Sequence, residues 1–176
     1  MEPTARVRVK VCCITSEEEA RIAVHHGAAA LGLVSRMPSG PGVIDEARIA
    51  QIAAGVPPPV GTFLLSCATR VEELVEQHRR TRTNTIQLVD HVPRENLRTL
   101  REALPGTRLV QVIHVTGPAS VDEALEVGAE VDGLLLLSGS PSLAEKELRR
   151  TGRVPDWVLG RVAGGSFLQR AWRLVI

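Results

Sequence analysis

The feature that most constrains the fold is a sixfold alternation along the chain. Short runs rich in apolar residues at 30–34, 60–65 and 131–137, and more mixed ones at 7–12, 84–88 and 108–115, are separated by charge-bearing segments at 17–26, 45–54, 70–80, 94–104 and 120–127. A short apolar run without polar alternation predicts a strand covered on both faces, as in a parallel sheet. Parallel neighbours need a crossover of about a dozen residues or more, usually a helix, and the intervening segments have that length and character. Local signals agree. Ser16 stands before Glu17-Glu18-Glu19 as an N-cap with Glu19 at the capping-box position. Gly27 and Gly128 fall where helices should stop. Pro57-Pro58-Pro59 ends the second helix. The predicted class is α/β with about six parallel βα units.

The chain has 176 residues, whereas a closed eight-stranded barrel usually takes about 250. The expectation is therefore an incomplete TIM-type (β/α) barrel that lacks its last strands. Periodicity alone leaves an open doubly wound sheet as the alternative. No G-x-G-x-x-G follows the first run, which weighs against dinucleotide binding. A net charge of +1 gives no global attraction to nucleic acid or anionic membrane. The aromatic residues are Phe63, Trp157, Phe167 and Trp172, too few and too scattered for a base-stacking platform. No apolar run approaches the roughly 18 residues of a membrane span, and the charged segment 1–10 is not a signal peptide. Cys12, Cys13 and Cys67 form neither a disulfide framework nor a C-x-x-C zinc pair, which places the protein in the reducing cytoplasm. His25, His26, His78, His91 and His114 lack ligand spacing, so no metal or other cofactor is expected. From 146 to 176, seven basic residues face two acidic ones, which reads as an exposed basic tail.

Several motifs carry a family resemblance. Lys10-Val11-Cys12-Cys13-Ile14-Thr15 resembles the K-[IV]-C-G-[IL]-T signature of phosphoribosylanthranilate isomerase, with Cys13 in place of glycine. The run 27–34 resembles that family's second strand. Thr85-Ile86-Gln87-Leu88 resembles its "vQLHG" strand, with Val89-Asp90 replacing His-Gly. The run 131–139 resembles its "dalLLDs" strand, and 151–157 its "GGTGxxfDW" segment. These motifs fall in family order over residues 6–157. The implied domain is a partial barrel over 1–157, followed by a divergent basic tail over 158–176.

The resemblance implies an Amadori rearrangement of a phosphorylated aminosugar in tryptophan biosynthesis. A general acid must open the sugar ring, and a general base must take the C2 proton. Cys12 matches the family's base, at the strand end where this fold carries its catalytic groups. The acid position reads Leu137, which cannot transfer a proton. Asp132 lies at the wrong end of the same strand, and Asp90, after the fourth strand, is the alternative acid. The substrate's carboxylate and phosphate need cationic or N–H-rich partners. Ser39-Gly40-Pro41-Gly42 replaces the family's S-P-R, leaving Arg36 as the nearby guanidinium. Gly164 and Gly165 resemble the family's strand-seven phosphate loop, and the "SGvE" loop has no counterpart. Two functions follow: an isomerase impaired by the missing acid, or a non-catalytic homologue that serves as an anion-binding or interaction module. A different phosphosugar enzyme, such as an epimerase, fits the signature less well. A homo-oligomer joined through open barrel edges is the further expectation.

Overall fold

The computed structural model describes residues 8–38 and 40–138. The elements run β1 (Lys10–Val11), α1 (Glu17–His25), β2 (Ala30–Val34), α2 (Glu46–Ala54), β3 (Gly61–Ser66), α3 (Val71–Thr81), β4 (Thr85–Leu88), α4 (Arg94–Ala103), β5 (Arg108–Val115), α5 (Ala119–Gly128) and β6 (Gly133–Ser138). All six strands are parallel, and their order in the sheet is their order in sequence. A doubly wound sheet reverses strand order at a switch point; among the described residues no reversal occurs, so their winding is that of a (β/α) barrel left open. Among the described residues β1 pairs with β2 alone and β6 with β5 alone.

The two faces of the sheet divide the residues by the twofold period of a strand. On one face the helices cover Leu31, Leu33 and Leu64 together with Ile49 and Ile52 of α2. Further along, the same face buries Ile86, Leu88, Leu109 and Ile113 against Leu74, Leu97, Leu100, Ala124 and Val127. The opposite, inner face carries a separate cluster of Val34, Met37, Leu65 and Val89, with Cys12, Cys13, Phe63 and Cys67 packed against it. All three cysteines therefore gather at the C-terminal mouth of the sheet.

Three of the boundaries that depart from the sequence reading have a local cause. The first strand shrinks from 7–12 to Lys10–Val11 because Cys13 has φ 61 and turns the chain out of the ladder; residue 7 lies outside the described residues. The last strand begins at Gly133 because Asp132 is engaged side-on with β5: its N–H donates to the Leu109 carbonyl at 2.8 Å, and its carboxylate accepts the Leu109 N–H at 3.0 Å. The fifth helix opens one residue early, at Ala119. Ser120 Oγ there accepts the Thr116 N–H and donates to the His114 carbonyl, so the hydroxyl ties the turn to β5.

The helix-start signal at Ser16 holds. Ser16 caps α1 by accepting the Glu19 N–H at 3.1 Å. The Glu19 carboxylate reaches one residue further back than the expected box, to the Thr15 N–H at 2.7 Å and the Thr15 hydroxyl. The Thr15 N–H holds this carboxyl below its ordinary value. Asp45 caps α2 through the Arg48 N–H.

Candidate functional site

The site grows from the first strand. Residues 10 and 12 share the inner face by strand alternation, and Val11 packs on the helix side. Lys10 is 3% exposed. A buried ammonium is costly unless it is hydrogen-bonded and paired. Its Nζ donates to Cys12 Sγ at 2.8 Å and to Gln87 Oε1 of β4 at 2.8 Å, and it lies 5.1 Å from the centroid of the Phe63 ring on β3. A cation over an aromatic face is attracted by the ring quadrupole. Three strands thus fix the ammonium, and the ammonium fixes the half-buried Cys12 thiol.

Room for the sulfur comes from β2. A Cβ on Gly32 would lie 2.8 Å from Cys12 Sγ and 3.2 Å from Cys12 Cα, so the glycine makes the close approach possible. Beside it, Cys13 occupies the left-handed region at φ 61, a conformation that glycine adopts at little cost. Here a cysteine adopts it, and the loop after β2 adjusts. A Cβ on Gly42, itself at φ +76, would sit 2.6 Å from Cys13 Cβ and 2.8 Å from Cys13 Cα. The extra side chain at 13 is matched by an absent one at 42.

The remaining sequence candidates divide by location. Leu137 pairs in register with His114 of β5 near the C-terminal end of β6. Its neighbours Leu134 and Leu136 pack on the helix-side core, so Leu137 faces inward, the same face as Cys12. Asp90 follows β4, and its carbonyl accepts Gln111 Nε2 at 2.9 Å; the same amide donates to the carbonyls of Leu88 and Val112. Gln111 therefore pins the segment that carries Asp90. Arg36 is exposed just past β2, and its carbonyl accepts the Cys67 thiol at 3.5 Å. Gly164, Gly165 and the basic tail lie outside the described residues. Asp132 is engaged at the opposite end of β6. Burial favours its neutral form, but the Leu109 N–H, Arg108 at 2.7 Å and Arg101 at 3.1 Å together hold its carboxyl below the usual value. It is a structural anchor.

Sequence reasoning passed over Lys10, Gln87, Phe63 and Gly32. One signal was available: a lysine two residues before Cys12, inside an apolar strand, must share its face and find a partner. The partner's identity depends on pairing across β1 to β4, which no local pattern encodes. Among the described residues no group of three or more His, Cys, Asp or Glu side chains could hold a metal ion, and no helix is long and apolar enough to cross a membrane.

Parallel strands wound in sequence order, with a held cysteine at their C-terminal mouth, define a protein of the TIM-barrel fold class. No protein-family model matches the chain. It is similar to N-(5'-phosphoribosyl)anthranilate isomerase of Methanocella arvoryzae, 30% identical over 161 residues, which cover 90% of this chain and 72% of the relative. It is also similar to N-(5'-phosphoribosyl)anthranilate isomerase 2 of Methanosarcina mazei, 28% identical over 88% of this chain and 68% of the relative. Phosphoribosyl anthranilate isomerase from Thermus thermophilus superimposes with a TM-score of 0.74 over 93% of this chain and 74% of that one. At 22% identity that likeness speaks for the fold alone. The chain belongs to the phosphoribosylanthranilate isomerase family. It spans roughly seven-tenths of these two relatives' length.

Proposed function

We propose that the chain acts on a phosphorylated aminosugar by the family's Amadori rearrangement, with Cys12 as the base that takes the C2 proton. The observation that carries this reading is the Lys10–Cys12 contact on the inner face, where a buried ammonium faces the thiol with positive charge. The contact fixes the sulfur on the inner face, and a thiolate is the form of cysteine that acts as nucleophile or base. Leu137 supplies no proton, and loss of a positioned acid lowers turnover by roughly 10²–10⁴-fold. Arg36 is the guanidinium assigned to a substrate anion, and Gly164-Gly165 the backbone assigned to the phosphate. The partial barrel is assigned to 1–157 and the basic tail to 158–176, in a cytoplasmic protein that pairs with a second copy through the open edges at β1 and β6.

A second reading, a non-catalytic anion-binding or interaction module, is favoured by Leu137 itself. Complementation of a tryptophan auxotroph lacking the isomerase separates the two. Growth restored by the parent gene and lost on Cys12→Ser supports the enzyme. Absence of growth from the expressed, folded protein supports the module.

A further inference from the structure

We propose that His114 donates the proton that Leu137 cannot; this rests on the isomerase reading above. Strand register brings the two residues together. His114 on β5 is the direct partner of Leu137 on β6. Leu109 and Ile113 of β5 lie in the helix-side core, so alternation turns His114 to the inner face, the face of Leu137 and Cys12. In-register neighbours on adjacent strands lie about 5 Å apart, so the imidazole stands beside the vacated acid position. Asp90 follows β4, one strand further away, at roughly 10 Å by the same spacing. The His114 ring is half-buried, and among the described residues it makes no hydrogen bond; only its backbone carbonyl is engaged, by Ser120 Oγ. An imidazole that has access to solvent and is not tied to another side chain can turn toward a ligand and exchange its proton. Imidazole is also the side chain most often used for such transfers near neutral pH.

The steps balance. As the C1–O bond of the sugar ring breaks, its electron pair goes to the ring oxygen, which takes a proton from the His114 imidazolium. The amine lone pair forms a C=N⁺ bond at C1. Cys12 thiolate removes the C2 proton, and the C–H pair becomes the C1=C2 bond while the iminium is neutralised. The enol hydroxyl at C2 then returns a proton to His114 and becomes the ketone, and C1 takes the proton from the Cys12 thiol. Substrate and product are isomers, and both side chains return to their starting states.

The experiment has two readouts. The first follows loss of the fluorescent anthranilate substrate by the parent, His114→Gln, Leu137→Asp and the double variant. His114→Gln is expected to lower turnover at least tenfold, toward the roughly 10²–10⁴-fold of a lost general acid, and Leu137→Asp is expected to restore it in the double variant. The second is independent of activity: Leu137→His should create a cross-strand histidine pair with His114, so that zinc raises its melting temperature but not that of the parent. Parent-like turnover in His114→Gln overturns the role of His114 alone. Absence of zinc stabilisation in folded Leu137→His overturns the shared face and with it the proposal. No turnover by any variant, Leu137→Asp included, overturns both the isomerase reading and this role for His114.

Discussion

Replacement of Cys13 offers a direct test of how this chain departs from its family signature. Cys13 sits at φ 61, and a non-glycine residue there costs about 1–2 kcal/mol. Alanine keeps that cost and loses the sulfur; glycine removes the cost and loses the same packing with Val34, Met37, Leu65 and Val89. In an ordinary helix or strand glycine is worse than alanine by roughly 0.5–1 kcal/mol. At position 13 the order should invert, with Cys13→Gly more stable than Cys13→Ala by about 1 kcal/mol. The facing position sharpens the test. Gly42→Ala places a Cβ 2.6 Å from Cys13 Cβ and 2.8 Å from Cys13 Cα, at φ +76. Left-handed strain and overpacking together should cost about 2–4 kcal/mol. Cys13→Gly removes the closer clash but leaves the close approach to the backbone of residue 13, so the double variant should recover about 1 kcal/mol relative to the sum of the singles. Urea unfolding followed by circular dichroism measures each step. Cys13→Ala matching or exceeding Cys13→Gly in stability would refute the backbone argument.

Three further outcomes follow from the same structure. Lys10→Met should slow carboxymethylation of Cys12 by iodoacetate more than alkylation by neutral iodoacetamide, by about tenfold, because a charge about 4 Å away acts on the anionic reagent; Lys10→Arg should keep the preference, and equal slowing of both reagents in Lys10→Met would reduce Lys10 to packing. Asp132→Asn should destabilise the fold by about 1.5–3 kcal/mol, as expected for bonds to a charged group. The folded Asp132 carboxyl lies below its unfolded value, so its contribution is complete above the ordinary aspartate range near 3.9 and disappears as pH falls through the lowered folded value. Unfolding curves that show the same Asn penalty at pH 7 and well below pH 3 would contradict that assignment. Sedimentation at micromolar concentration should show association through the open strand edges, and a monomer throughout that range would exclude it.

Much of the architecture was legible because it is local. The run 30–34 appears unchanged as β2, and Arg108–Val115, bounded by Gly106-Thr107 and Thr116-Gly117, appears unchanged as β5. Ser16 announced the helix start that it caps, whereas Asp45, read as the first residue of its helix, is the cap. The first strand was read too long because a cysteine gives no warning of a positive φ; only the family's glycine at that position hints at it. The site was less legible. Cys12 and Leu137 stood out through the resemblance, but Lys10 acquires a role only when β4 brings Gln87 to its ammonium, 77 residues away in sequence. His114 acquires one only when register sets it beside Leu137. Both relations are fixed by pairing across strands, and no periodicity within one strand records them.

The central claim is that this chain retains the family's proton chemistry at Cys12 while lacking its acid at position 137. Steady-state turnover of N-(5-phosphoribosyl)anthranilate by the parent, Cys12→Ser and Leu137→Asp tests it most directly. The expected result is slow turnover by the parent, none on Cys12→Ser, and a rise on Leu137→Asp that stays below the roughly 10²–10⁴-fold attributed to a positioned acid, because His114 already carries part of that proton transfer. Turnover that survives Cys12→Ser, or a parent and Leu137→Asp that are both inert while folded, would contradict it.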